Sequence, residues 1–89
     1  MAYNPKNILV TGGAGFIGSN YIRYMLKNYS HIRIINLDKL TYAGSKANLI
    51  GLLDKSDYIF IQGDICDGAL VAAILNQYAI DTIVHFAAE

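Results

Sequence analysis

The residues best suited to chemistry stand near the N-terminus, in "ILVTGGAGFIGSN", where Gly12, Gly13, Gly15 and Gly18 fall within seven positions. Glycine at this density strips one short segment of side chains. The chemistry that calls for this is the binding of a diphosphate, whose negative charge must be met by donors. A helix N-terminus offers unpaired N–H groups and the positive end of the peptide dipole. A backbone without Cβ atoms lets phosphate oxygens come close. Gly13, Gly15 and Gly18 fit G-x-G-x-x-G, and Gly12, Gly15 and Gly18 fit G-x-x-G-x-x-G. Both registers place one glycine at a turn, one against a pyrophosphate and one where helix meets strand. A tight turn without a ligand also uses such glycines, so context must decide.

Acidic residues supply part of that context. Asp38 lies twenty residues after Gly18, at the end of a second strand-like run. A carboxylate there accepts hydrogen bonds from adenosine ribose hydroxyls and repels a 2′-phosphate, which favours NAD over NADP. Lys39 works the other way, since a lysine beside that carboxylate could meet a 2′-phosphate. Asp64 ends a third run, on the same carboxyl edge. It could accept from an adenine amino group, or merely turn the chain after Gly63. Ala87 and Ala88 end a fourth run, where small side chains let a cofactor lie against the backbone or simply pack helix on sheet.

Other reactive types fall outside this pattern. Tyr42 and Lys46 have the spacing of an acid/base pair on a helix, but Gly44 interrupts them and the segment follows the second strand. His85 is expected to be a satisfied interior histidine, and His31 a loop residue. Cys66, His31 and His85 lack metal-ligand spacing.

These residues need elements to position them. Four runs have the strand pattern: Asn7 to Gly12, Ile32 to Asp38, Tyr58 to Asp64 and Asp81 to Ala88. They are nearly continuous in apolar residues, which suits strands covered on both faces. Between them, Ile17, Tyr21, Met25 and Tyr29 recur every four positions, with Ile22 and Leu26 alongside, and predict a helix over Phe16 to Tyr29. A shorter helical pattern runs from Ser45 to about Leu53. A third runs from Asp67, a suitable N-cap, to Tyr78, with Leu70, Ile74 and Tyr78 on one face. Alternating strands and helices imply a parallel α/β sheet with right-handed crossovers. The expected fold is the N-terminal half of a doubly wound (Rossmann) sheet, strand order 3-2-1-4, with residues 1–89 forming the first part of a dinucleotide-binding domain.

Composition narrows the partners. Of the 89 residues, 54% are hydrophobic and 16% charged, with seven basic and seven acidic residues balancing to zero. No basic block marks a nucleic-acid or anionic-membrane surface. The longest apolar run, Ala69 to Leu75, is too short for a membrane span. The polar "MAYNPKN" does not resemble a signal peptide. The lone Cys66 suits a reducing compartment. A cytoplasmic chain is expected.

Together, "TGGAGFIGSN", "LDKLTYAG", "GDICD" and "HFAAE" resemble the N-terminal part of extended short-chain dehydrogenases/reductases that act on nucleotide-sugars. "DKLTYAG", Asp38 to Gly44, is similar to the sugar-nucleotide dehydratases among them, though Ser45 stands where those often carry asparagine. The resemblance implies NAD as cofactor and a nucleotide-sugar substrate. It implies cofactor contacts from Gly12, Gly13, Gly15, Phe16, Ile17 and Gly18 at the pyrophosphate. Asp38, Lys39, Leu40, Thr41 and Gly44 would lie around the adenosine, and Asp64 and Ile65 beside adenine. Phe86, Ala87, Ala88 and Glu89 would run beside the nicotinamide half.

The activity implied is oxidation at sugar C4, loss of water across C5 and C6, and return of the hydride to C6. The tyrosine-lysine pair, hydroxyl residue and acidic pair for those steps lie further along such chains, so no catalytic residue is assigned here and no substrate domain is expected within these residues. Two alternatives stand: another nucleotide-sugar epimerase or decarboxylase of the family, and a binding fragment without chemistry. A homodimer is expected. With one sheet face and one edge left bare, the 89 residues alone would be poorly stable, or would associate or swap.

Overall fold

The computed structural model describes residues 5–40, 48–52 and 54–86. Its elements are β1 (Asn7–Thr11), α1 (Phe16–Asn28), β2 (Arg33–Asp38), β3 (Tyr58–Gln62), α2 (Gly68–Gln77) and β4 (Thr82–His85). The strands form one parallel sheet in the order β3-β2-β1-β4, the order expected for the first half of a doubly wound sheet. Thr11 pairs with Leu37 and His85, and Asp38 with Gln62, so the carboxyl ends of all four strands share one edge.

Side chains alternate across this sheet and build two cores. Ile8, Val10, Ile34 and Tyr58 face α1, where Ile22 is fully buried among them and Leu49 and Leu52 close the cluster. Leu9, Ile35 and Leu37 face the other way, onto Ile74 of α2. Ile8 and Ile34 are fully buried; burial of each such side chain contributes about 1.5–3 kcal/mol relative to exposure.

The second face is better covered than expected. The crossover from β3 to β4 must travel from one edge of the sheet to the other. In doing so α2 brings Leu70, Val71 and Ile74 over Leu9, Ile35, Leu37, Ile59 and Ile61. What remains open on that side is β4, where Ile83 is 56% exposed.

The helix faces also depart from the simple period. In α1, Tyr21, Ile22, Met25 and Leu26 pack on the sheet, whereas Ile17 and Tyr29 are exposed. Gly18 packs backbone on backbone: a Cβ there would lie 2.6 Å from the Gly12 carbonyl oxygen, so the helix start is drawn against the loop and Ile17 is turned outward. In α2, the Asp67 carboxylate accepts from the Leu70 N–H at 3.2 Å, the expected N-cap.

Within 48–52 the structure shows a single tight turn rather than an α-helix. The Leu52 N–H donates to the Leu49 carbonyl at 2.9 Å and the Lys55 N–H to that of Leu52 at 3.0 Å. Gly51, at φ +87°, is left-handed and ends any helical run. The rest of that predicted helix, with Tyr42 and Lys46, lies outside the described residues. Among the described residues no helix is long and apolar enough to cross a membrane, and no three His, Cys, Asp or Glu side chains are grouped to hold a metal.

Candidate dinucleotide site

The glycine loop leaves β1 and enters α1 under four backbone constraints. Gly12 takes φ +75°, a conformation that disfavours any side chain, and its N–H donates to the Leu37 carbonyl at 3.0 Å. The Gly15 N–H returns to the Gly12 carbonyl at 3.3 Å. Gly15 is the N-cap of α1, in extended conformation, and no side chain caps it. No acidic residue occupies the first turn. The positive end of α1 therefore meets no carboxylate of its own helix, while Phe16 and Ile17 beside it are 74% and 70% exposed.

Gly13 answers to a residue that sequence reasoning passed over. Asn36 is fully buried in the middle of β2, and its Oδ1 accepts from the Gly13 N–H at 2.9 Å. Its Nδ2 donates to the Tyr58 hydroxyl at 2.9 Å. A Cβ on Gly13 would stand 2.4 Å from that Oδ1 and 2.6 Å from Ile22 Cδ1. The one signal of this network in the sequence is an asparagine inside an otherwise apolar strand. Burial pushes the Tyr58 phenol up, with the Asn36 hydrogen bond opposing it, so the phenol stays protonated.

Asp38 is 5% exposed and tied on both oxygens. Oδ2 accepts from the Ala14 N–H and Oδ1 from the Leu40 N–H, each at 2.8 Å. A carboxylate has about four acceptor positions, so two remain after these bonds. Leu40 adopts φ +56°, unusual for a residue with a Cβ, and packs against the α1-side core. The loop and the end of β2 are thus one hydrogen-bonded unit.

A second tether fixes the loop from outside. The Asn48 side-chain amide donates to the Ala14 carbonyl at 2.9 Å. Arg23 of α1 donates to the carbonyls of Asn48 and Ile50. Neither contact was legible in the spacing of residues.

Asp64 lies beyond β3, which ends at Gln62, rather than at the strand end. Its Oδ1 accepts from the Cys66 N–H at 2.9 Å, so it turns the chain. Its Oδ2 lies 3.2 Å from Lys39 Nζ. The Cys66 amide, then Lys39, hold this carboxyl below the usual carboxylate range. Ile65 is half-buried on the α2-side core.

At β4, His85 is exposed, not interior as expected, because β4 is an edge strand whose α2-side face is uncovered. It is still partnered: Nδ1 lies 2.5 Å from the Thr11 hydroxyl. The Phe86 N–H donates to the Thr11 carbonyl at 2.7 Å, and its ring packs 5.4 Å from Tyr21 in the core, so Phe86 presents backbone to the sheet edge.

The structure therefore brings together Gly12, Gly13, Gly15, Phe16, Ile17, Gly18, Asp38, Lys39 and Leu40, with Asp64 and Ile65 one strand away and Phe86 at the far end of the same edge. Thr41, Gly44, Ala87, Ala88 and Glu89 lie outside the described residues. Chemically, the arrangement offers helix-tip donors for an anion and, on the neighbouring strand, a fixed acceptor for a diol.

The sequence model of the family described as GDP-mannose 4,6 dehydratase matches residues 9–89. A dTDP-glucose 4,6-dehydratase of Neisseria gonorrhoeae is 50% identical over 84 residues, which cover 94% of this chain and 24% of that protein. The crystal structure of dTDP-glucose 4,6-dehydratase from Bacillus anthracis, in complex with NAD, superposes with a TM-score of 0.90 at 48% identity, over 94% of this chain and 27% of that one. UDP-glucose 4-epimerase of Thermus thermophilus, also in complex with NAD, superposes at 0.73 with 29% identity, over 93% and 24%. The chain spans about a quarter of the length of the curated relatives it matches.

Proposed function

This chain belongs to the GDP-mannose 4,6 dehydratase family, and on that premise we propose that it forms the NAD-binding part of a dTDP-glucose 4,6-dehydratase. The observation that carries the cofactor is the uncapped, acid-free tip of α1 hydrogen-bonded through Ala14 to the buried Asp38 carboxylate. These residues fit the group. A diphosphate needs donors at the helix tip, and a vicinal ribose diol needs the two acceptor positions that Ala14 and Leu40 leave on Asp38. The relatives in complex with NAD support the same reading.

In this reading Gly12, Gly13, Gly15 and Gly18 shape the loop, and the N–H groups of the first turn of α1 bind the pyrophosphate. Phe16 and Ile17 shield it from water. Asp38 orients the adenosine ribose, Lys39, Leu40, Thr41 and Gly44 border it, and Asp64 and Ile65 flank adenine. Phe86, Ala87, Ala88 and Glu89 line the nicotinamide half. Bound NAD would supply the hydride acceptor and donor for transient oxidation at sugar C4, between which water is lost across C5 and C6. The substrate dTDP-glucose and the product dTDP-4-keto-6-deoxyglucose rest on the dehydratase relatives at 46–50% identity, against 29% for the epimerase. The same reading carries a cytoplasmic homodimer. The free Cys66 suits the compartment.

The test is a turnover assay on the full-length protein with dTDP-glucose and UDP-glucose in parallel. Formation of a 4-keto-6-deoxy sugar from dTDP-glucose is expected. Interconversion of UDP-glucose and UDP-galactose without loss of water would move the protein to the epimerases. Isothermal titration with NAD tests binding separately, and sizing in dilute solution tests the homodimer.

A further inference from the structure

Lys39 stands beside Asp38, where a cation would ordinarily favour a 2′-phosphate, yet the structure gives it another partner. Its ammonium lies 3.2 Å from Asp64 Oδ2, and both side chains are about half exposed. The pairing has a structural cause. Asp38 and Gln62 are partners in register at the ends of β2 and β3. The Gly63 N–H donates to the Asp38 carbonyl at 3.0 Å, and the Gln62 side-chain amide lies 3.4 Å from the Lys39 carbonyl. The two chains leave the sheet side by side, so Lys39 need only reach across Gly63.

Asp64 is itself fixed before Lys39 arrives. The Cys66 N–H holds its other oxygen at 2.9 Å. A Cβ at Gly63 would stand 2.4 Å from Leu70 Cδ2, so the turn carrying Asp64 passes close to α2. The Cys66 amide and Lys39 also keep the carboxyl ionised well into the acid range.

We infer that Asp64 acts as a cofactor-specificity residue by holding Lys39 away from the position of a ribose 2′-phosphate. This rests on the dinucleotide reading above and extends it. Asp38 repels the extra phosphate directly, and Asp64 withholds Lys39, a neighbouring cation that could neutralise it. Selectivity for NAD over NADP is thus divided between two carboxylates, one at the end of β2 and one just beyond β3.

The test is fluorescence titration of the full-length protein with NADH and NADPH, in wild type, Asp64→Asn, Lys39→Gln and the double variant. An exposed ion pair of this kind is worth a few-fold in an equilibrium. Asp64→Asn should tighten NADPH relative to NADH about two- to fivefold. Adding Lys39→Gln should abolish that gain, because the freed lysine produces it. Lys39→Gln alone should change the ratio less than it does in the Asp64→Asn background. An unchanged ratio in Asp64→Asn overturns the inference, as does an equal gain with and without Lys39, which would make Asp64 a plain like charge. Failure of the wild type to bind either dinucleotide would instead remove the underlying reading, and this inference with it.

Discussion

Gly13 offers the sharpest test of how the loop is held. Replacing it by alanine places a Cβ 2.4 Å from Asn36 Oδ1 and 2.6 Å from both Asn36 Cγ and Ile22 Cδ1. Each distance is about 1 Å short of an ordinary van der Waals contact. Asn36 cannot retreat freely, because it is fully buried and its Nδ2 is bonded to the Tyr58 hydroxyl. Overpacking of this degree costs about 1–3 kcal/mol. If Oδ1 swings aside, the buried Gly13 N–H loses its acceptor, for about another 1–3 kcal/mol. A loss of about 1–6 kcal/mol is expected, a large share of the roughly 5–15 kcal/mol of a typical domain. Gly68→Ala is the matched control. Nothing lies within 4 Å of a Cβ at Gly68, which opens α2, so the same substitution should stabilise by about 0.5–1 kcal/mol through helix propensity. Urea unfolding of both variants of the full-length protein measures the pair. Equal effects, or a loss below about 0.5 kcal/mol for Gly13→Ala, would refute the argument from close contact.

Two further outcomes follow from local geometry. Ala79 terminates α2 at φ +50°, with its N–H on the Asn76 carbonyl and the Ile80 N–H on that of Leu75 at 3.2 Å, a helix stop that glycine fills without strain. Ala79→Gly should raise stability by up to about 1 kcal/mol, the relief of left-handed strain less the added freedom of the unfolded chain, read as a higher thermal midpoint. Asp81 joins the starts of β1 and β4: it accepts from the N–H groups of Lys6 and Asn7 and from the Thr82 hydroxyl. Burial opposes its charge, but the Asn7 and Lys6 amides and Thr82 outweigh it and hold its carboxyl below the usual range. Its contribution is therefore complete above the unfolded pKa and is lost as pH falls through the lower folded value. Asp81→Asn should flatten the decline in stability below about pH 4, which acid titration of the unfolding midpoint would show.

Much of the arrangement was legible in the chain itself. Continuous apolar runs separated by helical periods implied a parallel sheet, and the doubly wound pattern supplied its order. The cluster Gly12, Gly13, Gly15, Gly18 and the carboxylate Asp38 marked the loop and its neighbouring strand end. Less was legible wherever a role depended on what lies across the sheet. Asn36 looks like a flaw in a strand until Gly13 is seen beneath it. His85 reads as interior until α2 is seen to leave the β4 part of its face uncovered. Asp64 and Lys39 are far apart in sequence and meet only because β2 and β3 end together.

What the sequence alone determined is periodic or local: strand and helix type, the glycine spacing, the Asp67 cap and the carboxylate at the end of β2. Such features arise from interactions within a few residues, so they are written in the order of the chain. Which polar groups find each other across strands is settled in three dimensions: Gly13 with Asn36, Ala14 with Asp38, Thr11 with His85 and Lys39 with Asp64. Those contacts depend on register and on which helix covers which face, and both are settled by packing between segments distant in the chain.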